Sequence, residues 1–306
     1  GKDDQLFTRT GEVYVHFLEP IPSLLPSVGV KIGRFDIPFG EEYLWQDAID
    51  NPLITNSAAY PYGWDEGILV HGQAGGLGWI AAISDGTDQR SIEDDTDKAF
   101  NLKLYGRPLE SLYLSASAMK NGDAGKSAFE FGGSHFQPIG ASHQSTLPPS
   151  PSEKVDATLL QIDMRYSFLS SQSHNELGYI ALSFGAAEQQ DGAPGFDRDI
   201  RWFSIEPLYN LTPKFYLVAR YSEIGTYDDD EGFHFDGKIF ADGNNAFGYD
   251  TKRFRRLGIG VGWMPAPRIR AKLEVGRDRF SLIDASPLST DNDDRNFVGA
   301  EVAVGF

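Results

Sequence analysis

Residues 159–168 read LLQIDMRYSF, and the fold turns on which way this segment faces. Leu160, Ile162, Met164, Tyr166 and Phe168 share one parity; Gln161, Asp163, Arg165 and Ser167 share the other. Successive side chains of a strand point to opposite faces, so one face is wholly apolar and the other carries charge. The pattern recurs along the chain. In 99–106, Phe100, Leu102 and Leu104 oppose Asn101, Lys103 and Tyr105. In 111–118, Leu112, Leu114, Ala116 and Ala118 oppose Tyr113, Ser115 and Ser117. In 297–306, Val298, Ala300, Val302 and Val304 oppose Gly299, Glu301 and Ala303. Thirteen segments read this way, whereas helical spacing is missing and 33 glycines and 17 prolines interrupt every long window.

The bulk numbers narrow the class. The 306 residues suffice for one large all-β domain, and a hydrophobic content of 41% suits an ordered chain. With 44 acids against 27 bases, the net charge of −17 speaks against a nucleic-acid partner. Without cysteine there is no disulfide framework and no thiolate site. No run approaches the ~18 apolar residues of a spanning helix. A membrane role therefore requires a β-barrel, the other structure that satisfies its backbone in lipid. A secretion signal is expected either to have been removed or to lie outside this sequence.

Connection lengths favour that barrel. Short turns (19–27, 74–76, 106–110, 169–175, 210–214, 264–268) alternate with long polar segments (35–66, 85–98, 120–155, 186–199, 226–252, 282–295). Outer-membrane barrels have this rhythm, with tight periplasmic turns and long outside loops. Apolar-parity aromatics sit beside the short turns: Phe17, Trp79, Phe168, Tyr209, Phe215 and Trp263, with Phe306 at the end of the last strand. They are expected to anchor at the lipid interface. A soluble β-sandwich has no reason for aromatics at one level of one face, nor for Lys103, Arg165 and Lys272 on the enclosed one. The expected architecture is one transmembrane antiparallel β-barrel in the bacterial outer membrane. Thirteen strands are visible. Because the first descends from outside and such barrels have even strand numbers, 14 or 16 are expected, with 16 implying missing N-terminal strands.

One stretch carries more than periodicity. VGVKIGRFDIPFGEE (28–42), followed by GWDEGILVHGQAGGLGWIAAISDGT (63–87), resembles the phosphate-selective porin O and P family. The likeness lies in the Gly-Arg-Phe strand end, the Pro-Phe-Gly-Glu segment and the Gly-Trp hairpin; elsewhere only the strand pattern is shared. It implies a 16-stranded homotrimer with basic residues at a constricted pore, and recognition of terminal Phe306 by the barrel-assembly machinery. The charge departs from that pattern: loop 35–66 carries seven acids and no lysine or arginine.

The residues of polar parity are the expected pore lining. The bases are Lys31, Lys103, Arg165, Arg220, Arg256, Arg268, Arg270 and Lys272; the acids are Asp163, Glu206, Glu274 and Glu301. Arg268, Arg270 and Lys272 form a ladder that would attract anions; a salt-bridged wall that stiffens the barrel is the other reading. Loop 35–66, with Phe39, Glu41, Glu42, Tyr43 and Trp45, is expected to fold inward as a constriction. The acidic runs offer hard oxygen ligands for calcium (Asp94 and Asp95; Asp228, Asp229 and Asp230; Asp293), though none has EF-hand spacing. No other cofactor is expected. Arg34, Arg255 and Arg277 have outward parity near the outer rim, where lipopolysaccharide phosphates lie. The six histidines show no metal spacing and no Gly-x-Ser-x-Gly elbow is present, so no enzyme is expected. The leading function is a porin for small hydrophilic solutes. The alternatives are a sheath around a multihaem cytochrome and a barrel that holds a surface layer through calcium.

Overall fold

The period-two segments become strands. The computed structural model describes residues 12–18, 27–45, 47–58, 61–62, 64–85, 98–124, 130–131, 134–135, 155–171, 176–191, 198–226, 234–235, 251–282 and 292–305. Thirteen strands form one antiparallel sheet in sequence order. They are β1 (Val13–Leu18), β2 (Gly29–Asp36), β3 (Trp64–Ala74), β4 (Leu77–Ser84), β5 (Ala99–Leu109), β6 (Leu112–Ala124) and β7 (Val155–Leu169). Then follow β8 (Glu176–Asp191), β9 (Arg198–Thr212), β10 (Phe215–Thr226), β11 (Thr251–Ala266), β12 (Ile269–Leu282) and β13 (Asn292–Val304). β1 and β13 are the two edges; they do not pair with each other. Residues 130–131 and 134–135 add no spanning strand. Instead they join Pro61–Tyr62 and His234–Phe235 in a small separate sheet between long connections.

The apolar face is the outer one. Leu160 and Ile162 of β7 are 56% and 61% exposed, and Val298 of β13 is 80% exposed. In water these would be liabilities; in hydrocarbon they are the solvated surface. Register keeps every apolar set on this side, since a slip of one residue would invert it. Leu160, for example, stands beside Ala118 of β6 and Ala186 of β8. Phe17, Phe168, Tyr209, Phe215 and Trp263 are exposed on the outer face, and Trp79 is half-buried there. Phe215 and Trp263 stack across neighbouring strands at 6.1 Å. Phe306 lies outside the described residues.

The inner face is not polar throughout. Near the long connections it carries Ala99, Met119, Ala157, Leu159, Ala187, Ile200, Trp202, Ile224 and Phe254, all buried in one apolar cluster. Ile37, Phe39 and Ala58, from the connection between β2 and β3, complete that cluster. The alternation hides this set, because parity shows which face a residue is on but not which inward residues pack together.

Candidate functional site

The segment 37–58 lies inside the curl of the sheet. It leaves β2 at Asp36, turns at Gly40 (φ 67°), makes a 3₁₀ turn over Glu42–Trp45 and runs on to Ala58. It touches β5, β6, β10, β11 and β12, so the sheet wraps around it.

Its first anchor is at β5 and β6. Lys103 Nζ pairs with Glu41 Oε1 at 2.8 Å and donates to the Gly40 carbonyl. Tyr113 Oη donates to the same Glu41 oxygen at 2.7 Å, and Gly40 N donates to Ser117 Oγ at 3.1 Å. The second anchor is Arg220 on β10. Its Nε donates to Glu206 at 2.6 Å, while Nη1 and Nη2 reach Thr55 O at 2.7 Å and Asn51 Oδ1 at 3.1 Å. Glu42 Oε1 lies 3.8 Å from the same guanidinium and accepts the Ser57 amide at 2.7 Å. The Ala58 amide donates to Ser222 Oγ at 2.8 Å.

The third anchor is β12. A lysine ammonium has three N–H donors, and Lys272 gives them to the carbonyls of Ala48 (2.8 Å), Asn51 (3.2 Å) and Leu53 (2.9 Å). Glu301 of β13 meets its charge. Glu274 does the converse: it accepts the amides of Ile54 at 2.7 Å and Thr55 at 2.9 Å, and the Thr55 hydroxyl at 2.6 Å. Arg270 donates to Asp50 O at 2.9 Å and Tyr216 to Pro52 O at 2.9 Å. Arg256 holds Asp278 through two bonds of 2.8 and 3.0 Å, and reaches Asn56 O at 3.3 Å. The loop's backbone has no ladder of its own; beyond its own turn bonds, such as Leu44 N to Glu41 O at 3.0 Å, it is satisfied by wall side chains.

The seat is cut by glycine. On β11 the inward positions are Gly258, Gly260 and Gly262. A Cβ on Gly260 would come 2.7 Å from Leu53, and one on Gly262 would come 1.9 Å from the Tyr216 ring. Leu53, Tyr216 and Val218 form a second buried apolar cluster in that space.

The wall charges therefore need correcting. They have the inward parity expected, but Lys103, Asp163, Glu206, Arg220, Lys272 and Glu274 are buried and bonded, not exposed to lumen water. Asp163 accepts from Ser183 at 2.6 Å and Gln161 at 2.8 Å, and Arg165 pairs with Glu176 at 2.7 Å over the Tyr179 ring. The Arg268–Lys272 ladder is no open anion track: Lys272 gives its donors to three loop carbonyls, Arg270 donates to Asp50 O and the Met264 sulfur, and Arg268 is exposed at the turn. Phe39 is packed against Trp202 rather than into a passage. Trp45's side chain, Asp94, Asp95, Asp228, Asp229, Asp230 and the side chain of Asp293 lie outside the described residues. Among described residues no group of three or more His, Cys, Asp or Glu could hold a metal ion.

What stays open lies on the opposite side. A cavity of about 590 Å³ separates the loop from β1–β5. His16, Lys31, Asp36, His71 and Tyr105 of the strands line it, with Tyr43 and Asp47 from the loop and Glu12 beside β1. His16 and His71 meet Nε2 to Nε2 at 2.8 Å, so one imidazole donates and the other accepts. Lys31 lies 4.2 Å from the Tyr14 ring centre. Sequence reasoning named Lys31 but not the His16–His71 pair. The residues lie 55 apart in sequence, and only the β1–β2–β3 register brings them together.

No protein-family model matches the chain, and no curated protein sequence is similar to it. Solved structures share its fold. OmpT of Vibrio cholerae superposes with a TM-score of 0.57 at 13% identity, over 90% of this chain and 76% of that one. The anion-selective porin of Comamonas acidovorans gives 0.56 at 10% identity, over 91% and 74%. The outer-membrane channel DcaP of Acinetobacter baumannii gives 0.55 at 12% identity, over 90% and 71%. The architecture is that of the outer-membrane β-barrels.

Proposed function

We propose that this chain is a porin, a passive channel of the outer membrane with no catalytic role. One observation carries the reading: a loop bonded to one side of the barrel interior leaves a polar cavity of about 590 Å³ along the other. Solutes pass along a space lined by Lys31, His16 and His71 together with Asp36, Asp47 and Glu12. Those three carboxylates against one lysine favour a cation preference, since charge at the narrowest part sets selectivity. The resemblance of residues 28–87 to phosphate-selective porins points the other way. The local charge is the better guide, because Lys103 and Lys272 are committed to the loop. The channel works as a homotrimer delivered by the barrel-assembly machinery.

A cytochrome sheath is less favoured, because the lumen is occupied by the chain's own loop. Conductance in a planar bilayer tests the proposal. Steady water-filled openings are expected; purified, inserted barrels that stay silent would overturn it.

A further inference from the structure

Four arginines crowd one sector of the outer rim. Arg253 and Arg255 lie on β11, Arg277 and Arg279 on β12, and register places Arg255 beside Arg279 and Leu257 beside Arg277. All four share the parity of Leu257, Ile259, Leu273 and Val275, which are exposed on the lipid face. The arginines therefore begin where the apolar band ends, at the level where hydrocarbon gives way to headgroups.

Side-by-side guanidiniums repel unless anions lie between them. Glu223 supplies one, 3.2 Å from Arg253 Nε and 3.0 Å from Arg255 Nε. Asp294 supplies the other: it takes Arg279 through contacts of 2.9 and 3.3 Å and also pairs with Arg277. Four positive charges meet two negative ones within the group. Each guanidinium carries five N–H donors, more in sum than two carboxylates can accept. Two shared carboxylates thus set the planes of four guanidiniums and leave donors over. Arg277 and Arg279 side chains remain 52% and 46% exposed. Elsewhere on the rim, outward bases meet an acid beside them: Arg34 meets Glu66 at 3.1 Å and Lys120 meets Asp156 at 3.5 Å. This excess of arginine over carboxylate on β10–β13 stands on a chain whose net charge is −17.

We propose that this quartet binds the phosphate groups of the outer-leaflet glycolipid, lipopolysaccharide. The planar guanidinium fork takes phosphate oxygens in pairs, and the headgroup level supplies doubly charged phosphates at the right height. The proposal rests on the outer-membrane reading above.

Purified barrel in neutral detergent would be titrated with lipopolysaccharide and with the same lipid after enzymatic removal of its phosphates, binding being read by native mass spectrometry. Wild type should bind the phosphorylated lipid at least tenfold more tightly. Arg277→Gln/Arg279→Gln and Arg253→Gln/Arg255→Gln should each lose most of that difference, whereas Lys120→Gln should keep it. Equal affinity for both lipids, or arginine variants that bind like wild type, would overturn the site. So would inorganic phosphate competing at the same concentration as the lipid, which would mark a free-anion site. All proteins would also be inserted in phosphatidylcholine bilayers. Variants that conduct like wild type are folded, and their lipid binding then judges the quartet. A wild type that never inserts overturns the barrel reading instead.

Discussion

Lys272 shows how single residues hold this interior. Its three donors match three loop carbonyls, so no smaller base does the same work and arginine's planar fork does not fit three points. Lys103 is the counterpart at the other end, its side chain 1% exposed against Glu41. Breaking one partner of such a buried pair costs about 3–5 kcal/mol, because the remaining charge is stranded. Lys103→Met should therefore release the front of the loop and raise conductance and its noise; a variant with wild-type traces would refute the anchor. The glycines of β11 act by absence. Gly262→Ala should push the Tyr216 ring off Pro52, and Gly260→Leu should exclude Leu53 from its seat, each giving a wider and less steady channel in single-channel recordings. The signal was in the sequence: RLGIGVGW (256–263) puts three glycines on the inward parity of one strand. What they accommodate was not, because Leu53 lies about two hundred residues away.

The loop is the element in which stability and function meet. Glu42 sits inside the barrel, where desolvation pushes its carboxyl above the usual carboxylate range, while Arg220 and the Ser57 bonds pull it back. An acid with a raised value in the docked state holds its proton there longer than in a released loop. Docking is then strongest below the ordinary carboxylate range and weakens as pH rises through the raised value. Loop-derived noise should fall on acidification in wild type, and Glu42→Gln should be insensitive to pH in that window. An unchanged pH profile in Glu42→Gln would assign the effect to another group. The strands themselves were legible, because alternation in β5, β6 and β7 reports the outer face directly and lipid tolerates nothing else there. The inner face was legible only in parity. Lys103 and Arg220 read as free pore charges because sequence shows orientation, not the partner that arrives from a distant loop.

At the scale of the molecule, the interior is divided. The β5–β13 side is filled by loop, wall charges and two apolar clusters, and the β1–β5 side holds the cavity. Selectivity then depends on few residues. Lys31→Gln should strengthen cation preference in reversal-potential measurements across a salt gradient, and Asp47→Asn should weaken it. Arg270→Gln, which loses a carbonyl bond beside the loop, should alter noise more than preference. If Lys31→Gln and Asp47→Asn leave the reversal potential unmoved, the cavity is not the ion path.

The loop's attachments also impose an order on assembly. Ile54, Thr55 and Asn51 lie between the second and third strands, yet bond Glu274 and Lys272 across 219 to 221 residues of chain. Contacts so distant in sequence form late, since their closure entropy comes first and their reward last. The contacts that Asn51, Ile54 and Thr55 make with Lys272 and Glu274 cannot form until β12 is in place beside β11. Until they do, the interior beside β11 and β12 is less filled than in the finished barrel.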